Sequence, residues 1–143
     1  MKRSQRMARL HRINQLQEKL AASNFASVRE RHEQLEQQLD RLRDYWNEYS
    51  TRLEELKKTT SSARELREHL QFLGKLDEAI RQQQETLAKS AAQLHNAEAE
   101  FLERRVDTRK IEKATASMRR QELVSEQQQI QKEMDDIYAA FFP

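Results

Sequence analysis

The sequence predicts an all-α protein, an antiparallel two-helix coiled-coil hairpin whose second helix is longer than the first and overhangs it. Three observations predict this. The 143 residues include one glycine (Gly74) and one proline (Pro143) and are 36% hydrophobic and 35% charged. Gln, Glu, Arg, Leu, Lys and Ala dominate, all good helix formers, and this composition marks long helices with a narrow apolar seam. Apolar residues recur at steps of three and four along two long stretches. Between them lies Thr59-Thr60-Ser61-Ser62, which has no apolar residue. The boundaries follow as one coiled-coil domain over 1–143, with helix 1 about 4–58, the turn about 59–62 and helix 2 about 63–140.

The first helix opens on a basic segment carrying Met7, Leu10, Ile13, Leu16 and Leu20 at helical spacings. Between Leu20 and Leu35 the pattern loosens, with Asn24 and His32 where apolar residues are expected, which predicts a local stutter. From Leu35 the steps alternate four and three through Leu39, Leu42, Trp46, Tyr49, Leu53 and Leu56, a sustained heptad seam. Ser62 and Glu65 then form an S-x-x-E capping box, the sequence signature of a helix start. In the second helix Leu66, Leu73, Ile80, Leu87, Leu94 and Phe101 recur every seventh residue, with Leu76, Gln83, Ser90, Ala97, Arg104, Ile111 and Met118 as weaker companions. Beyond Met118 the phase shifts to Leu123, Ile130 and Ile137, with Met134 and Phe141 beside them.

A turn centred on Ser61 pairs position i with 122 − i, and this relation can be tested. It sets Leu56 against Leu66, Tyr49 against Leu73, Leu42 against Ile80, Leu35 against Leu87, Val28 against Leu94 and Ala21 against Phe101. Such agreement from one assumed turn supports the hairpin. Residue 4 then falls near Met118, so everything after about residue 119 overhangs as a single helix whose apolar stripe has no partner within the chain. A stripe of that kind favours a partner protein over a disordered tail.

Composition also excludes. Without cysteine there is no disulfide and no thiolate metal site. No apolar run of about 18 residues is present to span a membrane. Lys2, Arg3, Arg6, Arg9 and Arg12 precede the first acid, Glu18, a pattern shared with organelle transit peptides, but the segment continues smoothly into the helical pattern. A net charge of +2 argues against nucleic acid as partner of the whole chain. His11, His32, His69 and His95 are scattered without ligand spacing, no phosphate-cradling glycine loop exists, and a two-helix chain offers no deep pocket. We therefore expect no enzyme activity, no metal and no cofactor.

Two stripes near the turn stand out. Gln38, Leu42, Tyr45 and Tyr49 share one spacing with Phe72, Leu76, Ala79 and Gln83. The hairpin pairs them in reverse order, Tyr49 with Phe72, Tyr45 with Leu76, Leu42 with Ala79 and Gln38 with Gln83. Spacing leaves two readings open, a wide aromatic seam or an apolar docking patch shared by both helices. Gly74 likewise marks either a close approach of the first helix or local give beside the patch. At the other end Arg3, Arg6 and Arg12 fall near Arg119, Ala116 and Lys110, with Arg104, Arg105, Arg109, Lys113 and Arg120 nearby. One sign of charge on both helices there suggests an acidic or polar partner.

Three motifs resemble a known family. Leu42-Arg43-Asp44-Tyr45-Trp46-Asn47-Glu48-Tyr49 is similar to an L-x-x-Y-x-x-E-Y signature, and Phe72-Leu73-Gly74-Lys75-Leu76-Asp77-Glu78-Ala79-Ile80 to F-L-x-x-L-D-x-A-I. Gln131-Lys132-Glu133-Met134-Asp135-Asp136-Ile137 is similar to a Q-K-x-x-D-E-I ending. These resemble the FliJ family, stalk proteins of the flagellar type III export ATPase, with the YscO-type stalks of virulence secretion as the near alternative and a general coiled-coil scaffold or homodimer as another. Phe101 stands where family members often have Trp.

The resemblance implies a cytoplasmic protein, peripherally associated with the inner-membrane export apparatus and monomeric when free. It implies that the end with both termini enters the pore of the hexameric export ATPase, that the other end contacts the export gate protein FlhA, and that export chaperones bind and are recycled. Contact with the membrane would be only indirect. The gate-contact positions of the family match Gln38, Leu42, Tyr45, Tyr49, Phe72, Leu76, Ala79 and, least closely, Gln83. For the ATPase the terminal end offers Arg6, Arg9, Ile13, Met118, Leu123, Ile130, Met134 and Ile137.

Overall fold

A computed structural model describes residues 2–59 and 62–142; Thr60 and Ser61, at the centre of the expected turn, lie outside the described residues. The chain is two helices packed against each other as a hairpin, α1 (Arg3–Lys58) and the longer α2 (Ala63–Phe141). Thr59 closes α1, its backbone N–H and its hydroxyl both donating to the Leu56 carbonyl, at 3.3 and 3.2 Å. Lys57 and Lys58 set positive charge against the negative end of the helix dipole. At the start of α2 the Ser62 hydroxyl accepts the Glu65 N–H at 3.2 Å, the serine arm of the expected cap.

Two compact units divide the chain, Ser23–Ala99 on one hand and Met1–Ala22 with Glu100–Pro143 on the other. In Ser23–Ala99 the inward residues of α1 are Phe25, Val28, His32, Leu35, Leu39, Leu42, Trp46, Tyr49, Leu53 and Leu56. Those of α2 are Leu66, His69, Leu73, Leu76, Ile80, Gln83, Leu87, Ser90, Leu94 and Ala97. Both sets alternate threes and fours without interruption, as a coiled-coil seam requires. The densest packing surrounds Leu53, Leu73 and Leu76, joined by Leu42, Trp46, Tyr49 and Leu66.

The stutter expected around His32 is absent within this unit. Phe25, Val28, His32 and Leu35 keep the seam phase. His32 occupies a seam position because its polarity is satisfied there. Its Nδ1 lies 2.9 Å from the Ser90 hydroxyl and its Nε2 2.9 Å from the Glu36 carboxylate. A buried polar group that finds its hydrogen bonds need not break an apolar seam. Of the two open readings of Gly74 the close helix approach falls away, since a Cβ there would meet nothing within 4 Å.

In the other unit the inward face of α1 is Ser4, Met7, His11, Asn14, Glu18 and Ala21, against Phe101, Arg104, Thr108, Ile111, Thr115 and Met118. Thr108 and Thr115 donate their hydroxyls to the carbonyls of Arg104 and Ile111, at 2.9 and 2.8 Å, which satisfies them inside the seam. Of the expected apolar run only Met7 faces α2. Leu10, Ile13, Leu16 and Leu20 lie on the outside, 46, 52, 61 and 65% exposed. Their steps of three, three and four rotate that stripe off a heptad line, whereas the inward residues hold the alternation.

The overhang begins later than expected. Ser4 donates its backbone N–H and its hydroxyl to the Glu122 carboxylate, at 3.2 and 2.5 Å, and the Lys2 ammonium lies 2.6 Å from Glu126. Long glutamate side chains reach past the point where backbone register alone ends contact, so the free stretch starts after Glu126. These carboxylates also relieve the accumulation of cations anticipated at this end.

Candidate functional site

The paired stripes near the turn come together in the unit Ser23–Ala99, and the structure sorts their members by depth. Leu76 is buried, at 8% exposure, and belongs to the densest part of the seam. Leu42, Tyr49, Ala79 and Gln83 are half-buried, while Gln38, Tyr45 and Phe72 are exposed. The alternation explains this, since 42, 49, 76 and 83 are seam positions and 38, 45, 72 and 79 lie one step beside them. Half of these residues therefore build the seam and half build a surface resting on it.

That surface is tied across the two helices at two points. The Tyr49 and Phe72 rings meet with centroids 4.3 Å apart at 43°, a tilted aromatic contact. The Gln83 side-chain amide donates to the Gln38 side chain at 3.2 Å and to the Leu35 carbonyl at 3.1 Å. Between these ties Tyr45 projects outward. Two residues flank the aromatic contact that sequence reading passed over. The Arg52 guanidinium sits 5.2 Å above the Tyr49 ring, and the His69 ring centroid is 6.1 Å from that of Tyr49. His69 was legible as a seam member from its period alone, but its polarity hid it. The combination of aromatic faces, amides and one cation can hold an apolar or aromatic partner in a defined orientation.

The terminal set is arranged differently. Met118 is half-buried against α1, whereas Arg6, Arg9, Ile13, Leu123, Ile130, Met134 and Ile137 are exposed. Past Glu126 the apolar stripe of α2 ends in a cluster of Met134, Ile137, Tyr138, Phe141 and Phe142. The Tyr138 and Phe142 rings stack at 5.0 Å. Tyr138 and Phe142 are a further pair missed in the sequence, although aromatics four residues apart on one helix face are a readable signal. Ionic contacts steady the start of α1. The Ser4 hydroxyl holds the Glu122 carboxyl below its ordinary range, and the hydrogen bond to Glu126 raises the Lys2 ammonium. Among the described residues no three His, Asp or Glu side chains converge as a metal site would require. No described helix is long and apolar enough to cross a membrane.

A sequence profile of the flagellar FliJ protein matches residues 2–142. The chain belongs to the FliJ family. No curated protein and no solved structure matches it. FliJ membership makes the chain a stalk protein of flagellar export, associated with the flagellar export apparatus. It also favours the flagellar system over the virulence stalks that share the architecture.

Proposed function

We propose that this FliJ-family chain is a non-catalytic coupling stalk between the flagellar export ATPase and the export gate. Its terminal end, with Arg6, Arg9, Ile13, Met118, Leu123, Ile130, Met134 and Ile137, enters the pore of the hexameric ATPase and promotes ring assembly and activity. Its turn-proximal surface, Tyr45, Tyr49, Phe72 and Gln38 resting on Leu42, Leu76, Ala79 and Gln83, contacts the gate protein FlhA. Export chaperones are bound and recycled by the same protein, which is monomeric when free. It works in the cytoplasm, peripheral to the inner-membrane apparatus.

The observation that carries this reading is the family match over residues 2–142. The exposed apolar stripe past Glu126 and the aromatic surface of Ser23–Ala99 support it, since each is an unpartnered surface of the kind a protein interface covers. The experiment compares full-length protein with a truncation after Glu126, which retains the Lys2 and Ser4 contacts. Capture of the export ATPase is expected to fall with truncation, and Tyr45→Ala with Phe72→Ala is expected to lose gate binding while helicity is retained. Undiminished ATPase capture by the truncated chain would overturn pore insertion. Undiminished gate binding by the double variant would overturn the docking surface.

A further inference from the structure

We propose that the outward face of α1 over residues 2–20 is a docking surface for an anionic lipid bilayer. The starting observation is an inversion. On these turns the face packed on α2 is largely polar, with Ser4, His11, Asn14 and Glu18 beside Met7, and the apolar residues Leu10, Ile13, Leu16 and Leu20 lie on the face turned outward. Arg6, Arg9, Ile13, Leu16 and Leu20 follow one another at three and four and form a single ridge opposite the seam. Arg3 and Leu10 lie along one flank of it, Arg12 and Lys19 along the other.

Charge selects the occupant. Apart from Lys2, which is paired with Glu126, residues 2–20 carry Arg3, Arg6, Arg9, Arg12 and Lys19 and a single carboxylate, Glu18, which is turned toward α2. An apolar ridge set among cations and lying parallel to its target is the arrangement of interfacial helices, whose side chains enter the headgroup boundary while Lys and Arg meet anionic lipid. The ridge is convex and spans about 21 Å from residue 6 to residue 20. A rigid protein partner would have to bring a matching groove, whereas a fluid headgroup layer conforms to the ridge. On α2 the cations of residues 100–120 are interleaved with Glu100, Glu103, Asp107 and Glu112, whereas residues 2–20 carry one carboxylate, which favours α1 as the contact. Arg6, Arg9 and Ile13 are shared with the proposed ATPase surface, so lipid and ring compete for the ridge.

The test uses the full chain, with no ATPase present, and is therefore independent of the stalk reading. Flotation is measured with vesicles of phosphatidylcholine alone and with about one third phosphatidylglycerol. We expect binding to the anionic vesicles only, weakened at least tenfold when salt is raised to about 0.3 M. Ile13→Gln with Leu16→Gln and Leu20→Gln should weaken it at least tenfold again, whereas Leu102→Gln with Val106→Gln, on α2, should not. In a Leu16→Cys chain labelled with an environment-sensitive fluorophore, emission should shift to the blue on anionic vesicles. Equal binding to neutral vesicles, binding that survives the triple change, or flotation without the blue shift would each overturn the proposal. So would capture of poly-glutamate in place of vesicles with the same dependence on Ile13, Leu16 and Leu20, which would assign the ridge to an acidic protein.

Discussion

Replacing Leu76 and Phe72 by alanine, one at a time, separates the two layers of the turn-proximal surface. Leu76 is 8% exposed and packs in the cluster of Leu53, Leu73, Leu42, Trp46, Tyr49 and Leu66. Truncating it removes buried methyl groups and leaves a cavity that two stiff helices close only partly, a cost of about 2–4 kcal/mol. Phe72 is 39% exposed, and its principal contact is the Tyr49 ring at 4.3 Å. Losing partial burial and one aromatic contact costs about 1–1.5 kcal/mol. Urea unfolding followed by the fluorescence of Trp46, the only tryptophan, reads both changes inside the same cluster. Gate binding, measured with each variant fully folded, should be lost in Phe72→Ala and largely kept in Leu76→Ala. Equal destabilisation by the two changes would refute the depth assignment, because a coiled-coil seam in which residue 76 is no more buried than residue 72 has a different helix rotation.

Gly74→Ala should raise the unfolding free energy by about 1 kcal/mol, read as a higher urea midpoint, since the new methyl meets open space and the helix gains a better former. Ser62→Ala should lower stability by about 1 kcal/mol and loosen the first turn of α2, visible as faster amide exchange at Glu65. Ser90→Ala, which strips the His32 Nδ1 of its partner, should cost about 1–2 kcal/mol, and His32→Leu combined with Ser90→Ala should recover most of it because no unpaired polar atom remains. The Ser4–Glu122 contact should respond to acid. Glu122 has its folded pKa depressed by the Ser4 hydroxyl, so its stabilisation is complete above the ordinary glutamate pKa and is lost as pH falls through the lower folded value. The protection factor of the Ser4 amide, the intrinsic exchange rate divided by the observed rate at the same pH, should therefore fall as the pH drops through the folded value, and Glu122→Gln should remove that dependence.

The sequence by itself determined the fold class, the two helices and the antiparallel sense. These follow from local rules: a composition of helix formers, a 3–4 alternation readable from Leu35 to Leu56, and a cap at Ser62. The paired stripes were legible for the same reason, as spacing on each helix projected through one turn. The depth of each residue within them was not. Leu76 and Phe72 look alike as apolar letters, and only helix rotation makes one a core residue and the other a surface one. The terminal unit depended on the tertiary structure most. Read as letters, Leu10, Ile13, Leu16 and Leu20 are a better seam than His11, Asn14 and Glu18, yet the polar residues face inward. Hydrophobicity specifies a seam when a helix carries one apolar stripe. Where two stripes compete on the same turns, the partner helix decides, through the heptad phase it can match.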